Sequence, residues 1–179
     1  MRTFALDPAQ DGVTHINVYS QARTWLGQQL SNFAHTPIDH PELGHFESIE
    51  GLWYWLKSKD TRLRSLHGFE AKKLGRQVPQ EKIPPAEFRA MLCMGLAAKL
   101  EAHPEIMRQL AESCLPLTHY YVYSGRVIEP DDNEWILAHF EAARAALNPA
   151  ADMSNTKLMH EIAQRPAPAA PEEDQLSLF

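Results

Sequence analysis

Glu50 stands where a side chain can do more than decorate a surface. Ser48 has the character of a helix N-cap, and Ile49, Leu52, Trp53 and Leu56 then recur at i, i+3, i+4 and i+7 as one apolar stripe. Glu50, Tyr54 and Lys57 share a different face of the same helix. A carboxylate there has two readings: an ordinary acid favoured by the helix N-terminus, or a group that handles a proton or a developing positive charge. On residue types alone, ion pairing and capping are the commoner fates. Around it lies an unusual concentration of cations. Residues 57–89 hold nine bases (Lys57, Lys59, Arg62, Arg64, Lys72, Lys73, Arg76, Lys82, Arg89) against four acids, which marks either a phosphate-facing surface or a solvated helix face. His35, His40 and His45 are spaced five apart, with Asp39 and Glu42 between them, but metal ligands are usually closer together or helix-borne. No metal and no cofactor is expected. Neither a Gly-rich phosphate loop nor a Ser-His-Asp order is present.

The elements that must carry these residues follow from periodicity and punctuation. Residues 13–19 alternate as a short strand, and residues 20–47, rich in Gly, Pro, His and polar types, read mostly as loop. After the Ser48 helix, residues 70–77 form a short basic helix. Pro84-Pro85 opens the clearest helix, running to about His103 with Phe88, Leu92, Leu96 and Leu100 along one side. Pro104 suits the first turn of another, burying Ile106, Met107 and Leu110. Residues 119–124 read as a strand, turned by Gly125 toward Val127 and Ile128. Asp131 or Asp132 caps a last helix bearing Trp135, Ile136, Phe140, Ala143 and Leu147. The sum is a helix-rich α+β domain, residues 1–148, with a small sheet.

The chain has 179 residues, of which 44% are apolar, enough for one packed domain with an extension. Two cysteines, Cys93 and Cys114, lack metal spacing and suggest no disulfide framework. The first ten residues lack the apolar run of a signal peptide, and no stretch approaches membrane-spanning length, so a cytoplasmic protein with no membrane partner is expected. A net charge of −6 argues against nucleic acid being gripped by the surface as a whole.

After Asn148 the composition changes. Residues 149–174 are a Pro/Ala-rich linker, with a marginal amphipathic helix at 154–163 and a stretch from 165 that can bury nothing. Gln175, Leu176, Ser177, Leu178 and Phe179 follow. This pentapeptide resembles, at every position, the motif that docks onto the bacterial DNA sliding clamp. A chance match at one given site is on the order of 10⁻⁶. The resemblance implies that Leu178 and Phe179 fill an apolar pocket on the clamp and that Gln175 hydrogen-bonds at its rim, with the linker as a flexible arm.

Further segments, in order, resemble the NADAR family, named for its association with NAD and ADP-ribose. They are Ile16-Asn17-Val18-Tyr19-Ser20, then Leu30-Ser31-Asn32-Phe33-Ala34 with Pro37-Ile38, then Ser48-Ile49-Glu50 with Trp53 and Lys57. Ala71-Lys72-Lys73-Leu74-Gly75-Arg76 comes next, followed by Met91 through Ala98-Lys99-Leu100-Glu101 and His103-Pro104. Asn133, Leu137 and Arg144 complete the set. The resemblance spans about residues 13–147. It departs at Gly51, where the family usually has His. It departs again at residues 120–125, shorter than the family's acidic and Trp-Gly element and without a carboxylate. Gly125, and Tyr123 in place of the Trp, are what carries across. Glu129, Asp131 and Asp132 are alternative sources of an acid.

Members of this family are N-glycosidases acting on phosphorylated ribose intermediates or on ADP-ribosylated guanine. Breaking a ribose C1–N bond passes through an oxocarbenium-like state and needs a carboxylate and a proton for the leaving nitrogen. The resemblance therefore implies Glu50 as the catalytic residue, Asn32 orienting ribose hydroxyls, and Phe33 or Trp53 stacking on a base. It implies Lys57 and Arg76 on phosphates, with Asn133 in the binding set. Two functions are expected from this: a glycosidase brought to DNA by the clamp, or a non-catalytic ligand-binding protein that occupies and regulates the clamp. The partners are the clamp and either DNA or a nucleotide or ADP-ribose ligand.

Overall fold

The computed structural model describes residues 6–130 and 134–148. Asn133, the capping Asp131 and Asp132, the linker at 149–174 and the pentapeptide at 175–179 lie outside the described residues.

Among the described residues six α-helices form the body: α1 (Trp25–Leu30), α2 (Ile49–Ser58), α3 (Gly68–Gln77), α4 (Pro85–Ala102), α5 (Pro104–Glu112) and α6 (Glu134–Leu147). Three of the last five begin as their sequences dictate. Ser48 Oγ accepts from the Gly51 amide at 3.0 Å at the head of α2, and prolines occupy the first turns of α4 and α5. The helix at 70–77 starts two residues earlier, at Gly68, whose φ of +56° suits glycine.

The strands are short and come as three separate pairs rather than the one small sheet expected. β1 (Ile16–Asn17) lies parallel to β4 (Leu117–Thr118). β2 (Ile38–His40) and β3 (Gly44–Phe46) form one hairpin, and β5 (Tyr121–Tyr123) with β6 (Arg126–Ile128) form another. The hairpin turn at Ser124-Gly125 has positive φ at both residues, as a tight two-residue turn requires. Two expectations are corrected. The strand at 13–19 shrinks to two paired residues, because residues 8–10 form a 3-10 turn and residues 12–14 turn again before pairing starts. The loop expected at 20–47 contains α1 and the first hairpin. Thr24 caps α1 by accepting from the Gly27 amide at 3.0 Å. Elements of three to six residues are too short for periodicity to reveal.

One apolar core joins these parts. Leu52 and Ile49 of α2, Leu92 and Leu96 of α4, Ile38, Phe46, Leu110 and Phe140 are all sealed from solvent. Gly95 lets α4 settle on α2, since a Cβ there would stand 2.4 Å from Leu52 Cδ2. The parallel pair is lengthened by a side chain. The Asn17 amide donates to the Tyr120 carbonyl and its oxygen accepts from the Tyr120 amide, both at 3.0 Å, imitating one more ladder step. Asp11, also buried, accepts from the Asn17 and Arg23 amides at 2.9 and 2.7 Å. Among the described residues, no helix is long and apolar enough to cross a membrane, and both cysteines are free.

Candidate active site

The site forms where α2, α3 and the loop after α1 meet. Capping by Ser48 leaves the Glu50 amide without a partner inside its own helix, and it donates to the Asn32 carbonyl at 2.9 Å. From the other side, Lys99 Nζ donates to the Ser31 carbonyl at 2.9 Å. The Ser31-Asn32-Phe33 turn is thus pinned at two successive carbonyls. The Asn32 side-chain amide takes no hydrogen bond from the described residues, which leaves its donor and acceptor for a ligand. Lys99 is wholly enclosed, and burial lowers its amine to about 7.

α3 packs closely on the second face of α2. Gly75 allows this: a Cβ there would lie 2.1 Å from Tyr54 Cγ, inside the ring. Ala71, one turn earlier, is fully buried. With Ala71 and Gly75 turned inward, Lys72 and Arg76, a turn apart, flank Glu50. Gly51 has a similar cause. A Cβ there would stand 2.5 Å from the Leu63 carbonyl oxygen and 3.0 Å from that of Leu66, so the histidine usual in the resembling family has no room beside this 3-10 segment at Thr61–Ser65.

Glu50 is only 7% exposed, yet its carboxylate makes no hydrogen bond and no ion pair with the described residues. Burial raises its pKa to about 7, against the opposing pull of Lys72, Arg76 and Lys57. All the charges that act on it are cationic, so no second carboxylate among the described residues faces it. Lys57 is set by its aromatic neighbours, its Nζ 4.7 Å from the Trp53 ring centre and 5.0 Å from that of Phe88. Burial lowers the Lys57 pKa and Glu50 opposes the shift. Lys72 lies over the Phe33 ring at 5.2 Å.

The basic window therefore divides. Lys57, Lys72 and Arg76 all bear on Glu50, and no acid among the described residues is bonded to any of them. Four of the other six serve elsewhere: Arg62 on Asp60, Arg64 across Phe46 and Trp55, Lys59 on Trp55, and Arg89 over Trp135. Of the residues singled out from sequence, Glu50, Lys57 and Arg76 meet, with Asn32 and Phe33 beside them. Trp53 packs on Phe88 and Trp135 and lies under Lys57, as Phe33 lies under Lys72. Lys72 was not distinguished in the sequence from Lys73; the inward Ala71 and Gly75 are what separates them.

A further residue joins the group from the far end of the chain. His119 follows β4, and its Nδ1–H donates to the Val18 carbonyl at 2.7 Å. Its ring meets Tyr19 edge-on at 6.3 Å between centres. Burial chiefly lowers its pKa, and Lys72 lowers it further. The three loop histidines do not converge. His40 is buried, with Nε2–H donating to the Met91 carbonyl, while His45 pairs with Asp39 and Glu47, and His35 with Glu47. Among the described residues no group of three metal-binding side chains is assembled.

No family model matches the chain, and no curated protein matches it in sequence. Among solved structures it is similar to the NMR structure of the E. coli protein YbiA, a NADAR-family protein, with a TM-score of 0.55 and 18% identity over 92% of this chain and 100% of that one. At that identity the likeness concerns the path of the backbone: this chain shares the fold of that protein, as the ordered segments lead one to expect.

Proposed function

We propose that this protein is an N-glycosidase that cleaves the ribose C1–N bond of a phosphorylated ligand, either a ribose-linked base or ADP-ribosylated guanine in DNA. One observation carries the reading: a buried carboxyl with no bonded partner among the described residues, with three cations bearing on it that no described acid pairs with. Enclosing a carboxyl this way costs stability and contributes nothing to the fold, which is the mark of a functional group. Lys57, Lys72 and Arg76 suit the phosphates of such a ligand. Asn32 suits the ribose hydroxyls, and Phe33 or Trp53 the base. Glu50, holding its proton near neutral pH, delivers it to the departing nitrogen while the cations keep the phosphoribosyl unit in register.

The test is turnover by the full-length chain of an oligonucleotide bearing ADP-ribosylated guanine and of ribose-phosphate-linked purines and pyrimidines. Release of ADP-ribose or free base that Glu50→Gln abolishes is the expected result. Wild-type protein that releases nothing from any of them, yet still binds ADP-ribose, favours the non-catalytic binding protein instead.

Delivery to DNA is the second half of the reading. The match of Gln175–Phe179 to the clamp motif supports docking on a sliding clamp, and tethering would let a weakly basic domain act on nearby DNA. Removing residues 175–179 is expected to weaken binding to a purified bacterial clamp at least about tenfold, since a few buried anchors carry most of a peptide's affinity. Unchanged affinity refutes the docking role.

A further inference from the structure

We propose that His119 is the second proton-transfer residue of this site, its Nε2 taking a proton from the water that attacks the ribose carbon. The assignment rests on the glycosidase reading and supplies what that reading lacks, a group to receive the water's proton where no second carboxylate faces Glu50.

Four observations lead to it. The Val18 carbonyl can only accept, so the ring proton of neutral His119 must sit on Nδ1, and Nε2 is left as a bare lone pair. That is the tautomer of a base. Nε2 has no hydrogen-bond partner among the described residues, whereas His15 and His40, the buried histidines, use both ring nitrogens. Lys72 is a cation whose charge bears on both His119 and Glu50. Finally, the backbone under His119 is fixed. Tyr120 is held at its amide and carbonyl by Asn17, and β4 is paired with β1.

The two environments push the groups toward complementary duties. Enclosure keeps a proton on Glu50 to about 7 and keeps His119 unprotonated below the usual imidazole value, with Lys72 adding to the second effect. Among the described residues, the charged and titratable groups that bear on the imidazole are Lys72 from α3 and Tyr19 after β1. In the step itself, the C1–N bond breaks and its electron pair passes to nitrogen, which takes the Glu50 proton. The water oxygen bonds to C1, and the proton it loses goes to His119 Nε2. Glycoside and water become a ribose hydroxyl and a free base, and the two side chains return to their starting states through solvent.

His119→Asn keeps an amide donor where Nδ1 stood and removes Nε2. In full-length protein assayed on ADP-ribosylated-guanine oligonucleotide and ribose-phosphate-linked bases, kcat is expected to fall about 100-fold or more, with KM changed less than about threefold. Wild-type kcat is expected to fall on the acid side as His119 protonates and on the alkaline side as Glu50 ionises. His119→Asn should lose the acid limb alone. Independently of any variant, the long-range proton–nitrogen NMR spectrum of the wild type should show neutral His119 with Nε2 unprotonated. A variant with wild-type kcat, or a proton on Nε2, overturns the assignment while leaving the glycosidase reading intact. Wild-type protein that turns over neither kind of substrate overturns both.

Discussion

Replacing Glu50 with Gln removes an ionisable group while keeping its shape, and the resulting stability change can be worked out before it is measured. The carboxyl moves from an ordinary 4.5 to about 7 on folding, chiefly because it leaves water. Each factor of ten in proton affinity is worth about 1.4 kcal/mol, so complete ionisation costs the folded protein about 3 kcal/mol. The sign follows from proton counts. Between pH 4.5 and 7 the folded state holds the Glu50 proton more often than the unfolded chain, so this group's contribution to stability falls as pH rises. Below the window the cost is absent, and above it the cost is complete. Urea melts of wild type and Glu50→Gln at half-unit steps from pH 4 to 8.5 give the difference, in which the other titrating groups largely cancel. Glu50→Gln should gain about 3 kcal/mol on the wild type across that range, with unchanged m-values. A difference that stays flat with pH refutes the premise that an uncompensated carboxyl is enclosed here. A difference of opposite slope means that the three cations outweigh burial.

Other substitutions test how the site is held. Gly75→Ala puts a methyl into the Tyr54 ring and should destabilise by about 1–3 kcal/mol in urea melts. Because α3 must shift to relieve the clash, ADP-ribose affinity measured by calorimetry should also drop; a stable variant with full affinity contradicts the packing described. Lys99→Met removes a lysine whose amine is lowered to about 7 by burial. The folded state binds that proton less readily than the unfolded chain, so wild type should gain stability on the variant from pH 7 toward 10.5, read by the same melts. Glu141→Gln takes the carboxylate from buried Arg144, leaving it Leu115 and Ser113, and should cost about 2–4 kcal/mol. A thermal melt unchanged by that substitution would mean the carboxylate contributes nothing there.

Legibility in the sequence followed range. Helices α2 to α6 were readable because their apolar spacings repeat over two or more turns and Ser48, Pro85 and Pro104 punctuate them. β1 was legible as part of the strand at 13–19, but its pairing with β4 was not, since residues 16–17 gain a partner only from 117–118, and nothing local records a pairing across a hundred positions. The site divides the same way. Glu50 and Lys57 share a face by helical arithmetic, and Arg76 came from an ordered resemblance. His119 depends on the β1–β4 pairing and had no local signal. Its position at a strand end, just before an aromatic run, becomes informative only when the partner strand is known. Nor could residue types show that the Trp53 ring packs against Phe88, Trp135 and Lys57.

The Asn17–Tyr120 clasp has a consequence for the order in which the protein comes into being. Glu50 and its cations lie within 27 consecutive residues, on two helices that can associate early because little chain entropy opposes a short closure. His119 is positioned only when a loop of about a hundred residues shuts, a slow and late event in refolding. The anion-holding half of the site and the half that takes the water's proton therefore mature on different timescales. During refolding, capture of ADP-ribose should precede the recovery of turnover.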